Sequence, residues 1–290
     1  MDKFLKHIET ARTLPSERDK NYLLTDASGR QFVFKIANAS ESRAFLEAEN
    51  AVLDHLSERV PFCQRVIEEV AEFEGHFARV VSYLPGVPLA EIRPHTPALL
   101  HDLGQKLGQL SRALADFDHP AVHRDFHWDL ATGNRVVNEY APLIENPDLR
   151  ELVLRCRFQP RIKLRRSVIH GDANDYNVLV DPERMTVAGL LDFGDMVYSY
   201  TVGDLAIALA YVVLHEDDPF ENLIAGYTSE FALRTEEREA LWPLVRLRLA
   251  MSVCIAAYQQ KQQPDNTYLG ISQKAIQKNL PRICADERFN

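Results

Sequence analysis

Hydrophobic and polar positions are arranged as in β-strands over four short stretches near the start of the chain. Residues 22–25 (YLLT) and 31–37 (QFVFKIA) form the first pair. Gly29 lies in the short segment between them, where it favours a hairpin turn. Residues 66–71 and 77–84 form a second pair. The pattern therefore predicts two strand pairs in the first part of the protein.

Between these strand pairs, residues 40–57 change to helical spacing. Leu46, Leu53 and Leu56 share one face of the resulting helix. Ser40 precedes the apolar positions and is the expected N-cap, without a complete capping box. The first part of the chain is therefore predicted to contain one amphipathic helix.

The second part of the chain has a different pattern. From residue 97 onward the apolar spacing predicts mostly helices, apart from one strand pair near 178–191. Proline and glycine interrupt the pattern at Leu84–Pro88. We therefore expect an α+β protein with two lobes, residues 1–84 and residues 85–290. Clefts between lobes are common ligand sites.

Composition and charge narrow the function classes. The chain has 290 residues and a net charge of −9, which argues against nucleic acid or an anionic membrane as a partner. Its four cysteines are scattered and its N-terminus lacks an apolar signal segment, so we expect a cytoplasmic protein with reduced thiols. The longest apolar run, Leu205–Leu214, is too short for a membrane span and predicts a buried helix.

The tripeptide His123-Arg124-Asp125 matches the HRD of a protein-kinase catalytic loop. Such a loop also needs an asparagine, five positions after the aspartate, to hold Mg²⁺. Leu130 occupies that position and cannot bind a metal. The spacing therefore excludes this tripeptide as the catalytic loop.

A second stretch, SVIHGDANDYNVLVD at 167–181, has the required spacing. Asp172 is followed five positions later by Asn177. A strand at Val178–Val180 and a returning strand at Val187–Leu191 then lead to Asp192. In an antiparallel hairpin the residues at the open end lie side by side, so Asn177 and Asp192 should converge. Their oxygen atoms suit Mg²⁺ held together with nucleotide phosphates, and Asp172 is placed to receive a hydroxyl proton.

Lys35 lies inside the apolar strand FVFKIA. A buried lysine needs a negative partner, and a nucleotide phosphate together with a helix glutamate would provide it. Glu49 lies on the apolar face of the predicted helix, whereas Glu47 points away from that face. We therefore predict a Lys35–Glu49 pair, with Glu47 as the alternative.

The spaced motifs H-G-D-x-x-x-x-N at 170–177, L-D-F-G-D at 191–195 and D-L-A at 204–206 resemble those of the aminoglycoside phosphotransferase family. These are small-molecule kinases with a protein-kinase-like fold. Other stretches are similar to the hydroxylysine-kinase branch of that family, namely LPSERDKNYLL (14–24), FVFKIAN (32–38), the run at 119–130 and YLGISQ (268–273).

The resemblance implies a fold with a small antiparallel-sheet lobe carrying one helix and a mainly helical second lobe. It also implies Mg²⁺ and ATP or GTP as phosphoryl donor, and it assigns roles to individual residues. Asp172 would be catalytic, Asn177 and Asp192 would hold Mg²⁺, and Lys35 would hold the nucleotide phosphates. Asp204 would accept backbone hydrogen bonds from the catalytic loop, and His170 would steady that loop.

Other contacts are implied less directly. The nucleotide base would bind near Ser82–Leu84, and the segment Ser16–Asn21 replaces the glycine-rich loop of protein kinases. Trp128 and Asp129 lie where the family builds its substrate pocket, and an aromatic face beside a carboxylate suits an ammonium group. A tryptophan packed in the core with a capping aspartate is the alternative for this pair.

The expected function is phosphorylation of a hydroxyl on a small, amino-bearing or cationic metabolite. 5-Hydroxylysine is the first candidate, followed by homoserine, choline or an aminoglycoside. A non-catalytic nucleotide-binding module on the same fold is the competing hypothesis. A protein kinase is disfavoured, because the chain has neither the glycine-rich loop nor an A-P-E segment after Asp192.

Overall fold

The computed structural model describes residues 1–16, 19–216, 219–262 and 273–286. The loop residues 17–18 and most of the 268–273 stretch discussed above lie outside these ranges. The elements of the first part, in chain order, are α1 (Asp2–Leu5), β1 (Ile8–Leu14), β2 (Lys20–Asp26), β3 (Gln31–Ile36), α2 (Arg43–Leu56), β4 (Val66–Phe73) and β5 (His76–Ser82). The five strands form one antiparallel sheet in the order β1-β2-β3-β5-β4.

The predicted strands and helix of this part are confirmed, with two differences. Strand β1 was not predicted, because its sequence IETARTL is mostly polar and five of its seven residues are exposed. Ser42, rather than Ser40, caps α2, and its hydroxyl accepts a hydrogen bond from the Phe45 N–H at 3.2 Å. Ser40 instead bonds to the side chain of Asn38, at 2.5 Å, so it is unavailable as a cap.

The two faces of β3 contact different parts of the protein. Phe32 and Phe34 pack on one face with Leu24 and Val80. Val33 belongs instead to the large core that includes α2. Since side chains alternate along a strand, Lys35 shares the face of Val33. This places the lysine on the side of the sheet that carries α2.

The remaining elements are mostly helical. In chain order they are β6 (Val87–Pro88), α3 (Pro97–Leu114), α4 (Gly133–Tyr140), α5 (Pro147–Arg155), β7 (Arg166–Ile169), β8 (Val178–Asp181), β9 (Thr186–Leu190), β10 (Val197–Tyr200), α6 (Gly203–Val212), α7 (Phe220–Glu230), α8 (Thr235–Gln262) and α9 (Gln273–Ala285). The sheet-rich first part and the mainly helical second part confirm the α+β prediction.

The predicted strand pair near 178–191 is the hairpin β8–β9. Three further short strands were not predicted. β6 pairs with β8, and β7 pairs with β10. They are two to four residues long, which is too short for a periodic pattern. The Leu190 N–H also donates to Phe62 O at 2.9 Å, which ties the hairpin to the segment between α2 and β4.

Two apolar helices lie in the core of the second part. Every residue of α6 is buried, as expected for the run at 205–214. Helix α8 is long and apolar enough to cross a membrane, but 83% of its most apolar 18-residue window is buried inside the fold. The burial of α8 is that of a core helix.

Helices α3 and α7 approach each other through glycines. A Cβ atom on Gly104 would lie 2.0 Å from the Leu223 carbonyl oxygen, and one on Gly226 would lie 1.9 Å from the His101 carbonyl oxygen. These contacts are with backbone atoms, which cannot rotate away. The spacing of the two helices therefore requires glycine at both positions.

Candidate functional site

The loop that follows β7 is shaped by one glycine and one buried aspartate. Gly171 has φ of +82°, and a Cβ atom there would lie 2.2 Å from the Asp195 carbonyl oxygen. Asp204, at the start of α6 and 1% exposed, accepts hydrogen bonds from the N–H groups of His170 and Gly171, each at 2.9 Å. The loop is thus fixed to a core helix immediately before Asp172.

His170 connects this loop to the end of the β8–β9 hairpin. Its Nε2 is 2.8 Å from Leu191 O, and its Nδ1 accepts a hydrogen bond from the Asp172 N–H at 3.2 Å. One ring nitrogen donates and the other accepts, which is the pattern of a neutral imidazole. The fully buried ring therefore fixes the backbone of Asp172 relative to Leu191 and Asp192.

The side chain of Asp172 is held on both of its oxygens. Oδ1 accepts from Arg248 Nη2 at 2.7 Å, and Oδ2 accepts from Asn174 at 2.8 Å and from Asn177 at 2.9 Å. Burial raises the pKa of Asp172 to about 6, although the Arg248 charge opposes this change, and Asp195 raises the pKa further. The carboxylate is therefore more basic than an ordinary aspartate.

Asn177 and Asp192 lie at the open end of the hairpin. Val178 pairs with Leu190, and the Leu191 N–H donates to Asn177 O at 2.9 Å. The Asn177 amide nitrogen faces Asp172, so Oδ1 is the atom it can offer a cation. Mg²⁺ prefers few protein oxygens together with phosphate oxygens and waters. The Asn177 amide and the Asp192 carboxylate fit that donor set.

Lys35 reaches from the sheet to this hairpin. Its Nζ lies 3.0 Å from Asp192 Oδ1. The lysine charge is the main reason that the pKa of Asp192 lies well below its usual range. Asp192 itself has φ of +64°, and its side chain is 51% exposed. The lysine of the first lobe therefore contacts the hairpin end directly.

The structure corrects the predicted Lys35–Glu49 pair. Glu49 instead makes a buried ion pair with Arg79, which also donates to Asn50 at 2.9 Å. Arg79 lies beside Lys35 in the register of β3 and β5. The longer side chain of Arg79 reaches Glu49 and forms the ion pair with it. Burial raises the pKa of Glu49, while the charges of Arg79 and Lys35 lower it.

Glu47, the alternative partner, is also not used by Lys35. It pairs with Arg43 on the surface of α2 at 2.8 Å, and both side chains are about half exposed. The prediction that Glu49 faces inward and Glu47 outward is therefore correct. The predicted partner of Glu49 is wrong, because Glu49 pairs with Arg79.

The residues predicted to contact the nucleotide occupy different environments. Asn21 faces Lys35 across β2 and β3, and its Oδ1 is buried without a hydrogen-bond partner among the described residues. Ser16 is exposed. Ser82 uses its N–H and its carbonyl oxygen for bonds to Arg65 and Gln64, so its backbone is already engaged. Leu84 packs against Gly189 of the hairpin.

The two residues predicted to bind the substrate, Trp128 and Asp129, have side chains in different environments. Trp128 is partly buried, and the Arg248 guanidinium lies 4.3 Å from the centre of its ring. Asp129 is 6% exposed and accepts hydrogen bonds from the Ala131 N–H and the Ser199 hydroxyl. The prediction that Asp129 meets an ammonium group is therefore corrected, because its carboxylate is used inside the fold.

The aspartate of the HRD tripeptide makes a surface ion pair in the structure. Asp125 is exposed and pairs with Arg135. Arg124 lies against the rings of Phe45 and Phe126 and donates to Gly194 O at 2.9 Å. The tripeptide thus helps to hold α2 against the segment after Asp192.

Arg248 and Arg79 were both missed by sequence reasoning. Arg248 lies in the apolar stretch 244–255 of α8, and it is 1% exposed. A cation inside an apolar run signals a buried partner, by the same argument that identified Lys35. That signal was present, but the sequence does not reveal that the partner is Asp172, 76 positions away.

Comparisons with known proteins agree with this geometry. The family model described as the phosphotransferase enzyme family matches residues 10–242. Hydroxylysine kinase from Danio rerio is 30% identical over 305 residues, which cover 94% of this chain and 85% of the zebrafish protein. Homoserine kinase from Zymomonas mobilis is 27% identical over 247 residues, which cover 79% of this chain and 74% of that enzyme.

A solved structure shows the same fold. Amicoumacin kinase in complex with AMP-PNP, Ca²⁺ and Ami superposes with a TM-score of 0.69 at 17% identity, over 97% of this chain and 93% of that one. The kinase-like two-lobed fold is therefore confirmed. The chain belongs to the phosphotransferase enzyme family, and it is a small-molecule kinase that acts on hydroxyl groups.

Proposed function

We propose that this kinase transfers the γ-phosphoryl group of ATP or GTP to a hydroxyl of an amino-bearing metabolite, with 5-hydroxylysine as the first candidate. The observation that carries the proposal is the Asp172 carboxylate, held between Arg248 and Asn177. The Lys35–Asp192 contact lies at the same open end of the β8–β9 hairpin as Asn177. The similarity to hydroxylysine kinases over 94% of the chain supports the choice of acceptor.

The chemistry proposed for these residues is as follows. Asp172 accepts the proton of the acceptor hydroxyl. The hydroxyl oxygen forms a bond to the γ-phosphorus, while the bond between the γ-phosphorus and the bridging β-phosphate oxygen breaks and the nucleoside diphosphate leaves. Lys35 contacts the phosphates, with Asn21 beside it. Asn177 and Asp192 hold Mg²⁺, which when bound neutralises the phosphate charge. In this proposal residues 1–84 bind the nucleotide and residues 85–290 carry the catalytic loop and the acceptor.

The acceptor is proposed to be cationic or amino-bearing. The net charge of −9 and the Asp195 carboxylate near Asp172 favour a positive charge on it. Homoserine is the second candidate, because a homoserine kinase is also similar over 79% of the chain. Choline and aminoglycosides share the amino-bearing character, but no relative reported above favours them.

The pH dependence of turnover should follow Asp172. Its pKa is raised to about 6 by burial, so the carboxylate is ionised above that pH and protonated below it. Because the ionised form accepts the proton, kcat/KM should be constant near pH 8 and fall by about tenfold per unit below pH 6. A pH profile measured from 5 to 8 tests this expectation.

Asp125→Ala is the control for the pH profile, since Asp125 is exposed and lies outside the catalytic loop. Its profile should match that of the unchanged enzyme. A kcat/KM that stays constant down to pH 5 would show that no group of raised pKa limits the reaction, and it would contradict the role of Asp172.

The proposed function is tested by a phosphoryl-transfer screen. ATP and GTP would each be offered with 5-hydroxylysine, homoserine, choline and kanamycin, and products would be identified by mass spectrometry. We expect a phosphorylated amino acid, formed with Mg²⁺ and lost when EDTA is added. Tight nucleotide binding without any product would instead favour the non-catalytic binding module.

A further inference from the structure

The Arg248 guanidinium has more hydrogen-bonding capacity than its ion pair uses. Arg248 is 1% exposed, and Nη2 donates to Asp172 Oδ1 at 2.7 Å. Its Nε and Nη1 are buried as well, and neither has a hydrogen-bond partner in the part of the chain that the structure describes. Buried charged donors without acceptors are costly. These two nitrogens therefore point to a ligand.

Two aromatic rings lie close to this guanidinium. Its Cζ lies 4.3 Å from the centre of the Trp128 ring and 5.9 Å from that of Tyr211. A guanidinium stacked on an aromatic face keeps its N–H groups in plane, directed past the ring. Burial opposes its charge, but Tyr211, Asp172 and Asp195 outweigh this effect and raise the pKa of Arg248. The side chain is thus a fixed cation with orientated donors.

We propose that Arg248 binds a carboxylate of the acceptor, which makes the substrates of this kinase hydroxylated amino acids rather than amino alcohols or aminoglycosides. The planar fork of arginine matches the two oxygens of a carboxylate. Asp172 accepts from Nη2 only, and this nitrogen carries two N–H groups. The second Nη2 N–H, together with an N–H of the neighbouring Nε or Nη1, remains for the two oxygens of the acceptor carboxylate. The inference rests on the proposed function, because it assigns a second recognition point to the same acceptor.

This arrangement links recognition to catalysis. The acceptor hydroxyl faces Asp172, while the acceptor carboxylate faces the arginine that contacts Asp172. Because Arg248 would contact both Asp172 and the acceptor carboxylate, its position sets the distance between hydroxyl and carboxylate that an acceptor must have. 5-Hydroxylysine and homoserine both carry the two groups, whereas choline and kanamycin lack a carboxylate.

The test compares acceptors that differ only in the carboxylate. 5-Hydroxylysine would be paired with 1,5-diaminopentan-2-ol, and homoserine with 3-aminopropan-1-ol. In whichever pair the unchanged enzyme uses better, it should prefer the amino acid by about 10²-fold or more in kcat/KM, because the buried Arg248 donors stay unpaired with the other compound. In Arg248→Met this preference should fall below about tenfold, even though both rates decrease.

The ratio separates recognition from support of Asp172. If Arg248 only orientates Asp172, the variant would lose both activities equally and the preference would persist, which would overturn the proposal. Arg248→Lys keeps the charge without the fork and should lose most of the preference, so it serves if the methionine variant does not fold. Arg246→Met is the matched control, because Arg246 contacts Ile283 and Asp286 of the C-terminal segment; its preference should be unchanged.

The outcome also separates this inference from the proposed function. Equal use of both members of a pair by the unchanged enzyme would overturn the carboxylate site and leave the kinase activity in place. If no compound is phosphorylated, the proposed acceptor class fails, and calorimetry with L-lysine and cadaverine decides the inference. Binding of lysine alone, lost in Arg248→Lys, would support the site, whereas equal or no binding of the two would overturn it.

Discussion

Asp172→Asn is expected to reduce kcat by about 10²–10⁴-fold while nucleotide affinity stays near normal. The amide has the size of the carboxylate and can still offer an oxygen to Arg248, but it cannot accept the hydroxyl proton. In the unchanged protein Asn174 and Asn177 donate to Asp172 Oδ2. In the variant the new amide NH₂ group would face these two donors. Single-turnover kinetics and nucleotide titration, measured together, separate the chemical step from binding.

The control for this change is Asp125→Ala, which alters the aspartate of the HRD tripeptide. Asp125 is exposed and pairs with Arg135 outside the loop at 170–177, so its removal should leave kcat unchanged. Thermal unfolding of both variants checks that the fold is retained. An Asp172→Asn enzyme with undiminished kcat would rule out this residue as the base.

Glu49→Gln should lower the free energy of unfolding by about 3–5 kcal/mol, since breaking a buried ion pair leaves an uncompensated charge. Glu49 and Arg79 are each 4% exposed, so solvent cannot replace the lost partner. Arg79 would retain its bond to Asn50, which is neutral. Denaturant unfolding followed by tryptophan fluorescence or circular dichroism measures the change.

Glu47→Gln is the matched control on the same helix. Its pair with Arg43 is about half exposed, and exposed pairs of this kind contribute about 0.3–0.5 kcal/mol. A similarly small effect of Glu49→Gln would mean that Glu49 is neutral in the folded protein, because burial, which raises its pKa, would then outweigh the opposing charges of Arg79 and Lys35. The difference between the two variants thus reports the charge state of Glu49.

Local spacing predicted much of this protein. Strands β2 to β5 of the first lobe, helix α2 and the β8–β9 hairpin follow from short-range patterns, and so does the arrangement of Asn177 and Asp192 at one hairpin end. These relations involve neighbours in sequence or a single turn. Gly171 and Asp204 likewise belong to motifs whose residues lie within one compact stretch, 170–206.

The remaining features depend on packing between distant segments. Arg79 takes Glu49 because α2 and β5 meet in the fold, 30 positions apart. Asp129 turns inward because Ser199 of β10 offers a hydroxyl, 70 positions away. The strand pair β7–β10 could not be predicted either, because each strand has only four residues, too few to show an alternating pattern. No window of sequence contains both members of such a pair.

The contact between helices α3 and α7 has a consequence for genetic screens of this enzyme. Any side chain at Gly104 or Gly226 would push the backbones of the two helices apart. A saturation mutagenesis experiment that scores activity in cells would therefore mark both positions as intolerant, just as it would mark Asp172. Assaying the same library at a lower growth temperature should rescue some of the glycine variants and none at Asp172, which would separate positions that shape the fold from the proposed catalytic position.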